Sequence, residues 1–511
     1  MNECTSDTEE TLLRRAYGSK RMLRLNGRGA EQKVWPRSSP TLSHTPPYDL
    51  HTRAWRHCAV IVSRRESLDV VSRSSCGQVH LSLHLRKKKY LTANNDGNIN
   101  RKYRRIKRYR NSIWGAIGRC LQKAAADDLR QVISYINKLK NEIPSNRPLT
   151  PLLNPSEEND VQIWNDYLDE RTKLEGGVPA WYSTPWIYCE TYMYRRLAEG
   201  FNLTKTLQHF DPFAKQKKHA FDGSVASATS VAAYTLAQIE SRQDIDSESC
   251  KIEFIKLMKL ALWGNRCDLS LSAGVANGQV GNPLELLASL EADILVDDTD
   301  FVWNALAKAK ASDKTVTLDI VLDNAGYELF TDLCLAAFLV AHKLAHKVRF
   351  YVKSIPWYVS DVTTEDFHWI IERMLGSSNS ELAHLGKVIK GHLETNVWSI
   401  EDEPFWTQPF VFSEMRQKNP TLYAKLSEAS LIIFKGDLNY RKLVGDINWE
   451  YTTKFVNAVQ GFLPAKLVSL RTIKSDVCAG LKPGQGEALR VKDPNWMITG
   501  QYGLIQSADI A

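Results

Sequence analysis

Between residues 314 and 472 the chain alternates short apolar, β-branched runs with longer helix-like stretches, and this alternation restricts the fold more than any other feature. "KTVTLDIVLD" (314–323) reads as a buried strand and "YELFTDLCLAAFLVAHKLA" (327–345) as a helix. "KVRFYVKS" (347–354) is a second strand, and "TTEDFHWIIERML" (363–375) a second helix that Thr363 or Thr364 would start. "ASLIIFKG" (429–436) and "AKLVSLRT" (465–472) are strand-like again. Strands that alternate with helices imply βαβ units, and hence a parallel sheet covered on both faces.

The preceding residues have another character. Apolar residues recur at helical spacing from about residue 112, and strong strand signals are absent from 111–290. "NDVQIWNDYLDERTKL" (159–174) reads as a helix. So does "STPWIYCETYMYRRL" (183–197), with Thr184 as N-cap and Pro185 at the first helical position. Further helical patterns cover about 224–242 and 251–263. At 511 residues the chain exceeds one ordinary core. We therefore expect a helical domain over 111–290 packed on an α/β/α sandwich over 291–511. Residues 1–110, which mix Ser, Pro and Arg, are expected to be a disordered extension or a wrongly assigned start.

Charge sharpens that division. Residues 1–110 hold 24 Lys/Arg against 9 Asp/Glu, whereas the remaining residues hold 42 against 49. The basicity therefore belongs to the first segment, chiefly to "LRKKKYLTANNDGNINRKYRRIKRYR" (85–110). That cluster could serve as a nuclear-localisation or nucleic-acid-binding arm, but reads more simply as a solvated extension. The rest does not resemble a nucleic-acid binder by charge. No apolar run is long enough for a transmembrane helix, and no secretory leader is evident. Nine scattered cysteines without a C-x-x-C pair argue for reduced thiols, so the expected compartment is the cytoplasm, with the nucleus second.

Chemistry gathers where the strands end. The first ends in Asp323 and Asn324; the second leads through "SIPWYVSD" to Asp361. The third leads into "KGDLNYRKL", with Lys435, Asp437, Asn439 and Arg441, and the fourth into Arg471 and Lys474. In a parallel sheet these ends share one edge, where ligands bind at a reversal of strand order. Two carboxylates and an amide are hard donors, suited to Mg²⁺ or Mn²⁺. Arg441 and Lys474 could neutralise a phosphate, aided by the helix start after Gly436. That combination suits phosphoryl transfer. Each piece has a plainer reading: a tight turn at "DNAG", a cap at Asp361, and a favourably placed acid at Asp437.

Other signals point away from function. His342 and His346 lie four apart, but "HKLAH" lacks the Glu of H-E-x-x-H, so a solvated helix face is the better reading. "KPGQGEAL" (482–489) lacks the G-x-G-x-x-G order and reads as a loop. Cys267 in "WGNRCDLSLS" reads as a buried structural thiol.

Together, "WGNRCDLSLS", "LDNAGYELFTDL", "SIPWYVSD", "FKGDLNYRKLVGD" and "RTIKSDVCAGLKPGQGE" resemble the metal-dependent damage-control phosphatases, and within them the subfamily marked by an R-T-x-K motif. That subfamily is also described as acidic-residue methyltransferases. The resemblance runs from about 112 to 511 and includes "WYSTPWIYCETYMYRRL". It implies a divalent metal, usually Mn²⁺, Ni²⁺ or Co²⁺, at Asp323, Asn324 and Asp361, the positions also implied to be catalytic. It implies substrate contacts from Asp323, Asn324, the run Asp437, Leu438, Asn439, Tyr440 and Arg441, and Lys474. The implied substrates are small phosphometabolites, including fructose 1-phosphate and fructose 6-phosphate. A second implied activity is methyl transfer from S-adenosylmethionine to protein glutamates, with Glu328 and Asp361 at the cofactor. The residues give that activity little support: there is no glycine-rich loop after a first strand, and first-turn acids such as Glu328 are common in helices.

Overall fold

A computed structural model describes residues 123–153, 160–241, 248–276, 283–312 and 315–509, all within the compact unit Pro40–Ala511. The basic cluster 85–110 lies outside the described residues, as do all the residues 1–110 read as an extension. A seven-stranded sheet runs in the order β1-β7-β6-β5-β2-β3-β4. The strands are β1 (Ile294–Asp297), β2 (Thr317–Val321), β3 (Lys347–Val352), β4 (Trp398–Asp402), β5 (Leu431–Lys435), β6 (Leu467–Thr472) and β7 (Gly503–Ala508). Neighbours pair in parallel, except that β7 runs antiparallel to β6. The architecture is mixed α/β with a mostly parallel sheet, as the alternation of strands and helices predicts.

Burial explains which strands are apolar throughout. Every residue of β5 and β6 is buried, because helices and loops cover both faces. The helix Tyr327–Ala341 is buried almost all round, wedged between the sheet and the long helix Glu248–Ala276. That is why its sequence carries an apolar surface rather than a single stripe. The helix Thr364–Leu375 begins with a reciprocal capping box between Thr363 and Asp366.

Several details depart from expectation. The helix Trp186–Asn202 is entered through Pro185 itself as N-cap; Thr184 makes no cap and instead donates to Glu175 Oε1 at 2.6 Å. Residues within 482–489 are not wholly loop, since the helix Gln485–Lys492 begins there after Gly484 turns left-handed. His342 and His346 do not share a solvated helix face, because the helix ends at Ala341. His342 is buried against Phe338, with Nε2 3.1 Å from Gln238 O; His346 Nδ1 accepts from Val316 N at 3.0 Å. The side chain of Cys267 lies outside the described residues.

The cores also divide earlier than residue 290. The helices Val225–Glu240 and Glu248–Ala276 share one core with the sheet. A separate helical core draws on residues 125–213, and it also takes in Trp357, Val359 and Leu438 from the α/β part. Composition could not place this boundary, because helices that cover a sheet and helices that form their own core share one periodicity.

Candidate functional site

Strand order reverses between β2 and β5. From β2 the chain moves outward to β3 and β4; β5 and β6 lie on the other side of β2. Crevices beyond the carboxyl ends of parallel strands open at such a reversal. Asp323 and Asn324 follow β2, while Gly436 and Asp437 follow β5. Gly436 has φ +83, and any side chain on it would run into the Asp323 carboxylate. Glycine is therefore required by the close approach of the two strand ends.

The loop after β3 brings in Asp361. Asn324 and Asp361 pair as an isolated antiparallel bridge, with Ala325 N donating to Ser360 O at 2.7 Å and Val362 N to Asp323 O at 2.9 Å. These backbone bonds fix two acids that lie far apart in sequence beside each other. Asn324 Nδ2 donates to Asp323 Oδ2 and to Glu328 Oε2, each at 2.8 Å, while its Oδ1 accepts from Ser360 Oγ.

Two buried lysines hold this acidic group. Lys353 Nζ lies 3.3 Å from Asp361 Oδ2 and donates to Leu322 O at 2.8 Å. Lys435 Nζ pairs with Glu328 at 3.1 Å and Asp332 at 3.0 Å, and donates to Ala261 O at 2.6 Å. Burial, with Glu328 and Asp361 adding to it, pushes the Asp323 carboxyl well above its ordinary range, against the pull of Lys353 and Lys474. Burial pushes Asp361 up to about 6 despite Lys353. The anionic forms are thus disfavoured until further positive charge arrives.

The run after β5 is more fully engaged. Asp437 Oδ1 accepts from Arg471 Nε at 2.7 Å, and from Lys474 N and Ser475 Oγ at 3.1 Å each. Although burial opposes it, Arg471 and Arg441 hold Asp437 below its usual pKa, so it stays ionised. Asn439 Nδ2 ties the ends of β2 and β5 together through Val321 O, Leu322 O and Lys435 O. Leu438 packs into the helical core. The Tyr440 ring lies under the Arg471 guanidinium at 4.0 Å, and its hydroxyl accepts from Ala479 N.

Arg441 was expected to be open to phosphate, but three of its N–H groups face carboxylates. Nε and Nη2 donate to Asp446 at 2.7 and 3.1 Å, and Nη1 donates to Glu190 Oε2 at 2.6 Å. Lys474 is partly exposed, and its ammonium makes no ion pair among the described residues. Of the two cations it is the one available to an anion.

Sequence reasoning missed Lys353 and Glu190. Lys353 directly follows β3, so a cation ending an apolar strand was the available signal. Glu190 lies in the stretch 181–197 that carries part of the resemblance, but nothing local singles it out: it sits in the second turn of its helix, 251 residues before its partner Arg441.

Among the described residues no group of three or more His, Cys, Asp or Glu side chains is arranged to hold a metal. Asp323, Asn324 and Asp361 supply two carboxylates and an amide instead, and three observations fit a hard cation. Asp361 Oδ2 is a buried oxygen whose recorded neighbour among the described residues is the Lys353 ammonium at 3.3 Å, which leaves it room to accept further positive charge. Asp323 and Asp361 crowd each other electrostatically. Their oxygens are the donors that such cations take. Asn324 would join by turning its amide over, exchanging its present bonds to Asp323, Glu328 and Ser360.

Comparison with known proteins gives the family. A profile described as the damage-control phosphatase ARMT1-like domain matches residues 105–489. The mouse protein named damage-control phosphatase ARMT1 is 43% identical over 382 residues, covering 74% of this chain and 86% of its own length. The human protein of that name is 40% identical over 383 residues, with 74% and 86% covered. A crystal structure of a DUF89-family protein from Pyrococcus horikoshii aligns with 69% of this chain and 95% of its own at a TM-score of 0.34 and 15% identity. The chain belongs to the ARMT1-like damage-control phosphatase family.

Proposed function

We propose that this damage-control phosphatase is a metal-dependent monoester hydrolase acting on small phosphometabolites such as fructose 1-phosphate and fructose 6-phosphate. The observation that carries the reading is the joining of Asp323 and Asp361 by paired backbone bonds at the sheet reversal, with the partly exposed Lys474 as a cation that favours the ionised form of Asp323. Asp323 and Asp361, with Asn324, would hold Mn²⁺, Ni²⁺, Co²⁺ or Mg²⁺. Such a cation supplies positive charge that polarises the phosphoryl group.

The chain's own residues do the rest. Lys474 neutralises the transferring phosphate as a point charge. Asp437, ionised and with Oδ1 already filled, offers Oδ2 to a substrate hydroxyl or to the attacking water. Asn439 and Gly436 keep the two strand ends at the spacing the site needs. Arg441 positions the loop after β5 through Asp446 and Glu190.

The buried Glu328–Lys435 pair weighs against the alternative of carboxyl methyl transfer from S-adenosylmethionine. Glu328 is already committed to a lysine and to Asn324. The four described free thiols, Cys189, Cys250, Cys334 and Cys478, are buried, which supports action on soluble metabolites in a reducing compartment, the cytoplasm first. No membrane partner is proposed.

The test is a phosphatase screen of the manganese-reconstituted chain against a panel of sugar phosphates. We expect hydrolysis of fructose phosphates and a loss of at least about a hundredfold in Asp323→Ala. An Asp323→Ala protein that retains metal and full activity would refute the assignment.

A further inference from the structure

Arg471 is the penultimate residue of β6 and is wholly buried. A guanidinium taken out of water must satisfy its donors locally. Four hydrogen bonds do so here. Nε donates to Asp437 Oδ1 at 2.7 Å and Nη1 to Val477 O at 2.6 Å, while Nη2 donates to Ser475 O at 3.1 Å and to Ser475 Oγ at 2.8 Å. The cation also lies 4.0 Å from the centroid of the Tyr440 ring, which is itself stacked on Phe455.

These partners come from two segments. Asp437 and Tyr440 belong to the helix that follows β5, and Ser475 and Val477 to the turn that follows β6. Lys474 sits in that turn. Its backbone N–H donates to the same Asp437 oxygen at 3.1 Å, as does the Ser475 hydroxyl at 3.1 Å. On its other side Ile473 N donates to Tyr502 O at 2.8 Å, and Gly500 N donates to Ile473 O at 3.0 Å. The aliphatic stem of Lys474 passes Gly500, where a Cβ would stand 3.8 Å from both its Cγ and its Cε. The turn is folded around one guanidinium, and the course of the Lys474 side chain follows from that turn.

The same guanidinium divides the Asp437 carboxylate. Oδ1 is filled by three donors, yet 16% of the side chain remains exposed. Arg471 therefore fixes which oxygen of Asp437 is used inside the protein.

We propose that Arg471 is a positioning residue that assembles Asp437, from the end of β5, and Lys474, from the end of β6, into one unit, and so sets phosphate affinity without touching the phosphate. The proposal rests on the phosphatase reading above and deepens it. A lysine at this position could pair with Asp437 but lacks the planar fork that reaches Ser475 and Val477 at once.

The test is calorimetric titration of inorganic phosphate into the manganese-loaded full-length chain as wild type, Arg471→Lys, Lys474→Met and the double variant. Arg471→Lys is expected to weaken phosphate binding about tenfold while the manganese Kd stays within about threefold, since Asp323, Asn324 and Asp361 lie at other strand ends. In the Lys474→Met background the same substitution should cost little more, because its effect runs through Lys474. A full further tenfold loss in the double variant, about what two independent structural effects would give, overturns the proposal. So does unchanged phosphate binding in a folded Arg471→Lys chain. Should Arg471→Lys fail to fold, Ser475→Ala replaces it in the cycle, since it removes one bond to Arg471 and one to Asp437. Its expected loss is about threefold alone and none beside Lys474→Met, and equal losses in both backgrounds overturn the proposal. A wild type that binds manganese but neither binds phosphate nor hydrolyses its esters overturns the phosphatase reading and this proposal with it, a result read without any variant.

Discussion

A Cβ on Gly436 would fall inside the carboxylate of Asp323. The two residues lie just beyond the ends of the adjacent parallel strands β2 and β5, and their contact sets the width of the crevice at the sheet reversal. Because Gly436 also has φ +83, alanine there meets both a clash and backbone strain. Gly436→Ala is expected to lower hydrolysis at least about a hundredfold, since small misplacements at a reacting centre have effects of this size. Steady-state kinetics beside a melting curve checks it; a stable, active Gly436→Ala protein would show that the carboxylate can move away at no cost.

Asp361 makes metal-free stability depend on pH. Its folded pKa of about 6 lies above the ordinary value of 3.8, so the folded state binds the proton more tightly. Its contribution to stability is present below about pH 4 and is lost as pH rises through about 6. A bound divalent cation reverses this by favouring the anion. Manganese should therefore raise the melting temperature more at pH 7.5 than at pH 5, and Asp361→Asn should reduce the difference, Asp323 retaining its own share. Thermal shift with and without metal at the two pH values is the measurement; equal shifts at both would contradict the arrangement.

Lys442 is a buried lysine whose ammonium donates to Gln408 O at 2.6 Å. Burial, with Lys353 nearby, lowers its pKa from 10.5 to about 7. The unfolded chain therefore binds more protons between pH 7 and 10.5, and stability rises with pH across that window. Lys442→Met removes the cost of burying the cation and is expected to raise the melting temperature by several degrees at pH 6, and by less at pH 9. A drop at pH 6 would mean that the Gln408 bond outweighs desolvation.

Asp437 and Arg471 form the opposite case, a pair that stabilises. Arg471 is fully buried, with Nε 2.7 Å from Asp437 Oδ1. Asp437→Ala leaves that guanidinium without its carboxylate, a change that costs about 3–5 kcal/mol in buried pairs. Because the folded pKa of Asp437 is depressed, its contribution is present above the ordinary carboxylate value and lost as pH falls through the folded value. Urea melts at pH 7 and at strongly acidic pH should show a large difference between variant and wild type at the first and a smaller one at the second. A uniform difference would indicate packing rather than charge.

The sequence by itself determined β2, β3, β5 and β6, and with them the end of the sheet at which acids and cations collect. Strands buried on both faces must be continuously apolar, and the polar residues that stop each run stand out against it. β1, β4 and β7 were not legible. β1 and β4 are edge strands with mixed exposure, and β7 mixes glycine and polar residues, as GLIQSA, into a mostly buried strand. Tertiary structure alone decided that Asp361 stands beside Asn324, that Lys353 answers Asp361, and that Glu190 reaches Arg441 across 251 residues. It also decided that Arg441 is held by acids while Lys474 is left available. Local pattern shows where a strand ends, but the order of strands in the sheet is set by which faces bury against which. The neighbours of a charged side chain follow from that order.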